Sequence, residues 1–293
     1  MKSNGLLGTY INGNYTVSIY EDGTKIREND LDCLTPDFPE NIDIKITNHC
    51  DAGCLYCHEN STKEGMHGEL NQKFIETLKP FTELAIGGGN PLDHPALLCF
   101  LRDLKNRSII ANLTVNQIHF ERNYDLILQI LDEKLIYGLG VSMVKGTEKF
   151  ANAVATIPNA VVHVINGVVK EADLEILFDK NLKLLILGYK YLRRGVNYHS
   201  SVVEKNKVLM YHLLPYILNR FKVVSFDNLA LEQLKVEELV SEDYWNQFYM
   251  GNDGQYTMYV DLVKEEFSKS STCEERFPLM NNIVDMFNIA RKI

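Results

Sequence analysis

The chain has 293 residues, of which 45% are hydrophobic and 24% are charged, and its formal net charge is −9. This is the composition of a folded protein with one large domain and appendages, and it argues against long disordered tracts. The acidic balance, without a block of Lys or Arg, argues against nucleic acid as the main partner.

The absence of targeting signals and the pattern of cysteines indicate the cellular compartment of the protein. The amino terminus lacks the apolar segment of a signal peptide, and no run of about 18 apolar residues occurs in the sequence. Six cysteines are present, of which three are clustered and three, Cys33, Cys99 and Cys273, are scattered. This pattern favours metal binding in a reducing compartment over a disulfide framework. We therefore expect a soluble, cytoplasmic protein with no membrane partner.

Residues 8–30 predict a small antiparallel unit near the amino terminus. Three strand-like runs are separated by Asn12-Gly13 and Asp22-Gly23, dipeptides that favour tight hairpin turns. The unit either docks a substrate or covers one end of the main sheet, and we favour the cover because such hairpins predict function poorly. The proline-containing residues 32–40 are expected to form a linker, which ends a first segment at residues 1–40.

From residue 41 onward, strand-like runs alternate with runs whose apolar residues recur every three or four positions, as in an amphipathic helix. The predicted strands are 41–47, 82–86, 109–115, 138–143, 160–166 and 183–189, with a weaker one at 222–226. The predicted helical runs include 74–78, 97–104, 126–131, 174–177 and 206–221, the last with a kink or break at Pro215. Repeated βα units form a parallel sheet. The fold class is therefore α/β, and residues 41–235 are expected to form a partial (β/α)6 TIM-like barrel.

Residues 236–293 show a different pattern, which predicts a small α+β cap packed on the mouth of the barrel. The segment contains an aromatic stretch at 244–249, a strand-like run at 255–260 and a helical run at 279–292. The aromatic side chains could stack on a peptide or a nucleobase, although aromatic residues more often belong to a core.

Three cysteines follow the first strand of the alternating region. Cys50, Cys54 and Cys57 have the spacing C-x3-C-x2-C and lie just past the carboxyl end of that strand, where α/β enzymes place their chemistry. A structural zinc or a closed [4Fe–4S] cluster takes four protein ligands, whereas three cysteines leave one iron open to another ligand. The alternative is a zinc site completed by His49 or His58. Zinc ligands usually come as two short pairs, and the sequence has no second pair.

A glycine-rich segment follows the second predicted strand. Gly87, Gly88 and Gly89 precede Asn90 and Pro91. Glycines allow the backbone to approach a ligand closely because no Cβ intrudes. By itself the segment is typical of an ordinary tight turn, but after the cysteine motif it indicates a second part of the same site.

Together these two motifs resemble those of the radical S-adenosylmethionine (SAM) superfamily. The cysteine spacing, with the aromatic Tyr56 before the last cysteine, resembles the cluster loop of that superfamily, and residues 87–91 resemble its Gly-Gly-Glu-Pro segment. The resemblance covers residues 42–229. It implies a partial barrel, a [4Fe–4S] cluster bound by the three cysteines, and SAM bound at the open iron. It also implies that an external reductant of the flavodoxin or ferredoxin type drives cleavage of SAM to a 5′-deoxyadenosyl radical, which abstracts hydrogen from the substrate.

The same resemblance implies which residues near the two motifs contact SAM. The cysteines would be both the metal ligands and the catalytic centre. The backbone of Tyr56 would meet the adenine, and Gly87, Gly88 and Gly89 would receive the methionine amino group. Asn90 stands where the superfamily has glutamate, which weakens that one contact and leaves the backbone carbonyls available.

Polar residues at the ends of later strands complete the expected site. By similarity, Asn116 and Ser142 could hold the SAM ribose or the methionine carboxylate, and Lys190 or Arg193 could balance the carboxylate charge. Cys273 is either a hydrogen-atom donor or inert packing, and both interpretations stay open. The three scattered cysteines are too few to ligate an auxiliary cluster.

The substrate class depends on elements outside the motifs. The amino-terminal hairpins could add a strand to an extended peptide, and the aromatic cap could stack on its side chains, so we favour a peptide or protein substrate. The alternative within enzymes is a small metabolite or nucleoside in a closed pocket. A non-catalytic iron–sulfur or zinc-binding module is the third hypothesis. The glycine segment argues against it because a structural site does not need that segment.

Overall fold

The computed structural model of the chain describes residues 5–31 and 33–293. Residues 1–4 and Asp32, with which the predicted linker begins, lie outside the described residues. The described part forms a small antiparallel sheet, a large mostly parallel sheet, and helices that pack with the large sheet around the main core. The strands of the small sheet are β1 (Leu6–Asn12), β2 (Tyr15–Tyr20) and β3 (Lys25–Glu28).

The large sheet has ten strands among the described residues: β4 (Asn41–Thr47), β5 (Glu83–Gly88), β6 (Ile110–Asn116), β7 (Gly138–Ser142), β8 (Ala160–Ile165), β9 (Lys183–Leu187), β10 (Val223–Phe226), β11 (Thr257–Asp261), β12 (Glu266–Ser268) and β13 (Phe277–Pro278). Their order in the sheet is β10-β9-β8-β7-β6-β5-β4-β11-β12-β13. β4 to β10 are parallel, each beside its neighbour in sequence, and β11 is parallel to β4 on its other side. The predicted mixed α/β class is thus confirmed, and each predicted strand of the alternating region is present, including the weaker one.

Helices occupy the connections between the parallel strands. The α-helices among the described residues are α1 (Leu97–Asn106), α2 (Gln117–Arg122), α3 (Tyr124–Asp132), α4 (Glu148–Ala155), α5 (Glu171–Glu175), α6 (Arg194–Tyr198), α7 (Ser201–Ile217), α8 (Asn228–Gln233), α9 (Glu242–Phe248) and α10 (Ile283–Ala290). The described part also has three 3₁₀ helices, at Lys73–Thr77, Pro91–Asp93 and Val236–Leu239. Within the described ranges, no helix is long and apolar enough to cross a membrane.

Two helices differ from their predictions. The run predicted at 74–78 forms a short 3₁₀ helix, because Pro80 follows so closely that the chain must extend before it. α7 does not break at Pro215 but continues to Ile217. Pro215 lies in the last turn of α7, so its missing N–H removes only one hydrogen bond near the helix end.

Alternate residues of the parallel strands face two different environments. Ile42, Ile44 and Ile46 of β4 are buried on the same side as Leu84 and Ile86 of β5, in a core that includes residues of the helices. The residues between them point to the other side, which we call the polar face. Its side chains include Asp43, Lys45, Asn112, Thr114, Asn116, Ser142, His163 and Lys183. The polar face and the carboxyl ends of the strands position the candidate site.

The small sheet covers the amino end of the polar face. It encloses a cavity of about 300 Å³ between residues 19–23 and the first residues of the parallel strands. Asn159, just before β8, donates from Nδ2 to the carbonyl of Glu21 at 2.6 Å, and Lys183 donates from Nζ to the carbonyl of Asp22 at 3.2 Å. The predicted antiparallel unit is confirmed, and its contacts are those of a cover at the end of the sheet opposite the cysteines.

A buried carboxylate anchors this cover to the large sheet. Glu40, just before β4, is fully buried and accepts hydrogen bonds from Tyr15 OH at 2.6 Å and from Arg27 Nε at 2.8 Å. Lys25 Nζ lies 3.1 Å from the second carboxylate oxygen, and the Arg27 guanidinium stacks 3.9 Å above the ring of Tyr256. Both oxygens of the buried charge therefore have partners, which a buried carboxylate requires.

Part of the segment predicted as a cap continues the large sheet instead. β11 pairs with β4 from Thr257 opposite Asn41 to Asp261 opposite Lys45. α10 packs into the core, whereas α9 has no buried residue and carries its aromatic side chains at the surface. The pairing joins strands that are far apart in sequence, so the pattern of residues within either strand could not predict it.

Candidate functional site

The cysteine loop, which we define as residues 48–69, folds back on itself beyond β4. Cys50 N donates to Thr62 O at 2.8 Å, and Thr62 N donates to Asn48 O at 3.1 Å, so the two arms of the loop are joined. Gly65 packs against the carbonyl of Asn48, where any Cβ would clash. These contacts hold the three cysteines in one short segment at the carboxyl end of the sheet.

The three thiols are free and half-buried. Burial raises the pKa of the Cys50 and Cys54 thiols, since a thiolate loses solvation there. Asn116 Nδ2 donates to Cys54 Sγ at 3.6 Å, and Arg194 Nη1 donates to Cys54 O at 3.0 Å. The amide donor and the guanidinium both favour negative charge at the Cys54 sulfur.

The donor set fits an iron–sulfur cluster. In the part of the chain that the structure describes, no three His, Cys, Asp or Glu side chains converge closely enough to hold a single metal ion. Ligands of a [4Fe–4S] cluster need not converge in this way, because each thiolate binds a different iron. Three half-buried thiols in one loop, with a hydrogen-bond donor at one sulfur, match the ligands and the surroundings that such a cluster uses.

The glycine segment lies directly against the cysteine loop. Gly89 N donates to Thr47 O at 2.7 Å, and Asn90 N donates to His49 O at 2.7 Å. A Cβ on Gly89 would clash with the carbonyl of His49, and Gly88 has a φ of +117°, a conformation that L side chains rarely adopt. Gly87 is different, because an added Cβ would meet only Thr114, at 3.9 Å. Two of the glycines therefore serve the packing of the loop, and Gly87 leaves open space on the polar face.

Asn90 is fully buried and makes a local contact. Its Oδ1 accepts a hydrogen bond from Leu92 N at 3.3 Å and so caps the 3₁₀ helix at Pro91–Asp93. Its Nδ2 is buried without a hydrogen-bond partner in the described residues, as are Asn48 Oδ1, Ser61 Oγ and Arg194 Nε. Buried polar atoms nearly always have partners, so a group of unsatisfied ones beside the cysteine loop is what a ligand-binding site would leave.

Polar residues at the ends of three adjacent strands form one row. Asn116 pairs with Ser142, and Ser142 pairs with His163, so the three lie side by side across β6, β7 and β8. Since neighbouring strands lie about 4.8 Å apart, His163 is about 10 Å from the Asn116 position. Burial lowers the pKa of His163 to about 4, which leaves the ring neutral at pH 7. The row therefore offers an amide, a hydroxyl and an uncharged imidazole beside Cys54.

The two candidate cations hold the cysteine loop in place. Lys190 Nζ lies 3.3 Å from His58 Nε2 and donates to Ser271 Oγ at 2.9 Å. Arg193 donates to the carbonyl of His58 at 2.5 Å. Tyr56 packs edge-on against the ring of Tyr198 in α6, with ring centroids 5.5 Å apart. The structure therefore brings Lys190 and Arg193 to the cysteine loop, and Tyr56 of that loop to α6.

Sequence reasoning missed a buried ion network that fixes the same loop. Lys45 Nζ lies 2.7 Å from Glu59 and 2.9 Å from Asp261 of β11, and all three side chains are almost fully buried. Burial alone would raise the pKa of Glu59, but His58 and Lys45 hold it well below its usual range. A lysine inside an apolar strand was a signal of a buried charge in the sequence. Its partners could not be identified from the sequence because they are distant along the chain. The network ties the cysteine loop to β4 and to the carboxyl-terminal segment.

A second missed contact fixes the start of the loop. Asp51 accepts hydrogen bonds from His119 Nε2 at 2.8 Å and from both Nη atoms of Arg122, at 2.6 and 3.0 Å. These donors hold the pKa of Asp51 well below its usual range. His119 and Arg122 belong to α2, which follows the strand end that carries Asn116, so one connection supports the cysteine loop at two points.

Cys273 lies apart from the three clustered cysteines, in the wall of an open cleft of about 700 Å³. The cleft is bounded by residues 228–253 on one side and by residues 269–273 on the other. Trp245 and Tyr249 line it, and their rings stack with centroids 4.7 Å apart and an interplanar angle of 13°. Trp245 and Tyr249 of the aromatic stretch thus face a cleft instead of forming a core.

Taken together, the fold and site define an α/β protein with a cysteine loop at the carboxyl end of a parallel sheet, and solved structures with this fold are found. No protein-family model matches the chain, and no curated protein sequence matches it significantly. The similar structures include those of SuiB from Streptococcus suis.

SuiB bound to the precursor peptide SuiA has a TM-score of 0.66 and 9% sequence identity, with 97% of this chain and 89% of that chain covered. SuiB bound to S-adenosylmethionine has a TM-score of 0.64 and 10% identity, with 99% and 89% covered. A further SuiB structure has a TM-score of 0.61 and 10% identity, with 99% and 90% covered. At this identity the likeness shows a shared fold, and it confirms at the level of the fold the resemblance that the two motifs indicate.

Proposed function

We propose that this chain is a radical SAM enzyme that modifies a peptide or protein. One observation carries the proposal: three half-buried thiols lie in a loop joined to the glycine segment, at the carboxyl end of the sheet and beside its polar face. The likeness to structures of SuiB bound to SAM and to a precursor peptide supports the same function.

The proposal includes the architecture and cellular context expected from the sequence. In this proposal, β4 to β9 of residues 41–235 form the partial (β/α)6 barrel and β10 extends it, with residues 1–40 and 236–293 as flanking segments. The enzyme acts in the cytoplasm and takes its electron from a flavodoxin- or ferredoxin-type protein.

In this proposal, Cys50, Cys54 and Cys57 bind a [4Fe–4S] cluster, which with SAM supplies a 5′-deoxyadenosyl radical when reduced. The protein itself positions these groups and shields them from water. Asn116 donates a hydrogen bond to the Cys54 sulfur, which eases reduction by stabilising added negative charge. Gly87 leaves room for SAM on the polar face.

Residues of the later strands orient the bound groups in this proposal. Ser142 continues the row from Asn116 and offers a hydroxyl to the ribose or the carboxylate of SAM. Lys190 keeps the cysteine loop against the segment at residues 269–273 and adds positive charge near the carboxylate. Such fixed polar groups orient a cofactor without reorganising during the reaction.

A peptide is the favoured substrate, and of the two features that the sequence offered in its favour only the aromatic segment supports this proposal. The small sheet covers the amino end of the strands, so it does not present a docking edge beside the cysteines. The support comes instead from the likeness to SuiB bound to SuiA and from the open aromatic cleft at residues 228–273. An open cleft accepts an extended chain, whereas a small metabolite would need a closed pocket.

The test is anaerobic reconstitution with iron and sulfide, followed by dithionite and SAM, with 5′-deoxyadenosine measured by mass spectrometry. We expect the native chain to form 5′-deoxyadenosine and Cys54→Ala to form none. Cys99→Ala is the matched control, because Cys99 is an exposed thiol on α1, remote from the cysteine loop, and this variant should keep its activity.

Two results would contradict the proposal. One is a colourless protein that holds zinc after reconstitution, without the broad absorbance near ~400 nm of an iron–sulfur cluster. The other is a fully loaded cluster that forms no 5′-deoxyadenosine in the native chain.

A further inference from the structure

The aromatic cleft described above, lined by residues from 228–253 and 269–273, is an open surface with aromatic side chains at its wall and rim. α9, at its rim, buries none of its residues, and Tyr244 and Phe248 are each 54% exposed. Trp245 and Tyr249 stack on each other within the cleft. Exposed aromatic side chains of this kind are typical of a binding surface, since a helix that served only the fold would bury them.

The cleft carries an excess of negative charge. Glu232, Glu237 and Asp253 line it, and within the described residues none of these carboxylates forms an ion pair with a cation. Of the two lysines that line the cleft, Lys235 lies 3.4 Å from Glu238, whereas Lys269 donates to the oxygen of Ile293 at 3.1 Å and keeps its positive charge. The three carboxylates without an ion pair outnumber this one lysine, so the net charge is negative and a cationic partner is favoured over an anionic one.

The wall of the cleft is next to residues that contact the candidate active site. Ser270 and Thr272 line the cleft, and Ser271 between them accepts a hydrogen bond from Lys190, whose Nζ also reaches His58 in the cysteine loop. On the other wall, Leu229 packs against Gly188, two residues before Lys190. A peptide bound in the cleft would therefore lie close to a segment that contacts the cysteine loop.

We propose that this cleft binds an arginine-bearing segment of the peptide substrate, with the guanidinium between the free carboxylates and the stacked rings of Trp245 and Tyr249. The inference rests on the proposed function and names the chemistry of its substrate. Arginine is favoured over lysine because its planar group stacks on aromatic rings while it pairs with carboxylates.

The sequence supplies a direct probe of this cleft, because Trp245 is its single tryptophan. The ligand for the test is the capped, tryptophan-free peptide Gly-Arg-Gly-Arg-Gly, added to the reconstituted full-length chain without reductant. Its matched control replaces both arginines by citrulline, which keeps the shape and removes the charge. We expect a saturable change in Trp245 emission with the arginine peptide and binding at least about tenfold weaker with the citrulline peptide. Raising the salt concentration should weaken binding of the arginine peptide and leave binding of the citrulline peptide unchanged.

Charge-neutral variants locate the effect. Glu232→Gln combined with Glu237→Gln should weaken binding of the arginine peptide about tenfold. Glu171→Gln combined with Glu175→Gln is the control, because both residues are exposed on α5, which does not line the cleft, and binding should be unchanged. Equal responses to the two peptides, no response to either, or no effect of the cleft variant would each overturn the inference.

The readout separates this inference from the proposed function. Peptide binding is measured by Trp245 emission in the absence of turnover, whereas the proposed function is measured by 5′-deoxyadenosine. A chain that forms 5′-deoxyadenosine but fails the emission test loses only the inference about arginine. A chain that binds the arginine peptide selectively but forms no 5′-deoxyadenosine keeps the cleft chemistry and loses the radical mechanism.

Discussion

The two ends of the parallel sheet are held by buried ion networks of similar composition, but they differ in how completely their polar groups are satisfied. At the amino end, both oxygens of Glu40 have partners in Tyr15, Arg27 and Lys25, and the buried hydroxyls without a partner among the described residues are those of Tyr10 and Thr82. At the carboxyl end, Lys45 and Glu59 form a comparable pair, yet a larger group of buried polar atoms without partners lies around the cysteine loop, in Asn48, Ser61, Asn90 and Arg194.

This difference separates a region built for stability from one built for binding. A satisfied buried network fixes the fold, and nothing further is gained when a ligand is added. A region with unsatisfied groups costs folding free energy that a ligand can recover. Changes at the amino end should therefore lower the free energy of unfolding without altering the cluster. Changes at the carboxyl end should alter the cluster without lowering the free energy of unfolding.

The largest effect is expected for Gly89→Ala. The new Cβ would clash with the carbonyl of His49 and displace the backbone next to Cys50, so we expect the chain to lose most of its bound iron. Iron content per chain and visible absorbance after reconstitution measure the loss. Gly87→Ala is the matched control, because its Cβ would lie 3.9 Å from the nearest heavy atom, and this variant should load iron normally. Equal iron content in the two variants would show that the glycine segment does not support the cysteine loop.

At the amino end, Glu40→Gln tests the satisfied network. Removing one partner of a buried ion pair leaves the others uncompensated, so the free energy of unfolding should fall by about 3–5 kcal/mol, with iron content per folded chain unchanged. Urea unfolding followed by circular dichroism measures the change. The control is Glu28→Gln on β3, an exposed residue of the same small sheet, which should change stability by less than about 0.5 kcal/mol. A loss of iron in folded Glu40→Gln would contradict the proposed division between the two ends.

The same carboxylate predicts a pH dependence. Burial alone would raise the pKa of Glu40, but Lys25 and Arg27 hold it below its ordinary value of 4.5. A depressed pKa in the folded state means that this stabilisation is complete above about pH 4.5 and is lost as the pH falls through the folded value. The difference in unfolding free energy between the native chain and Glu40→Gln should therefore shrink below about pH 4.5. A constant difference down to pH 3 would show that the Glu40 charge contributes nothing.

The sequence predicted the parts of this molecule that are encoded locally. Alternating apolar residues predicted each strand of the 41–235 region. The spacing of Cys50, Cys54 and Cys57 predicted a loop with one site, and the glycine segment was predicted as a second part of that site. The pairing of β11 with β4, and the partners of Lys45 and Glu40, were not predictable in this way. Each joins residues that are distant in sequence, and the choice among polar partners is made by tertiary packing.

At the carboxyl end, Asn116→Ser tests how the protein tunes the proposed cluster. Serine keeps an oxygen that can cap α2 but removes the amide that donates to the Cys54 sulfur. The reduction potential of the cluster should fall, because the reduced state carries more negative charge and loses a hydrogen bond. A redox titration followed by electron paramagnetic resonance measures the shift. Asn112→Ser, on the same strand and face but without a contact to the cysteines, is the control and should leave the potential unchanged.

The smallest effect is expected for His163, between the two ends on the polar face. Burial lowers the pKa of His163 to about 4 in the folded chain, from its ordinary value of 6.5. Between these two pH values the unfolded chain binds a proton at His163 and the folded chain does not. Stability should therefore decline as the pH falls from about 6.5 towards 4, by about 1 kcal/mol from this residue, because solvent reaches part of the ring. The free energy of unfolding should fall less steeply with decreasing pH in His163→Gln, as measured by urea unfolding at several pH values. A His163 ring that titrates near pH 6.5 by nuclear magnetic resonance would contradict this, and would mean that the polar face is as well hydrated as the surface.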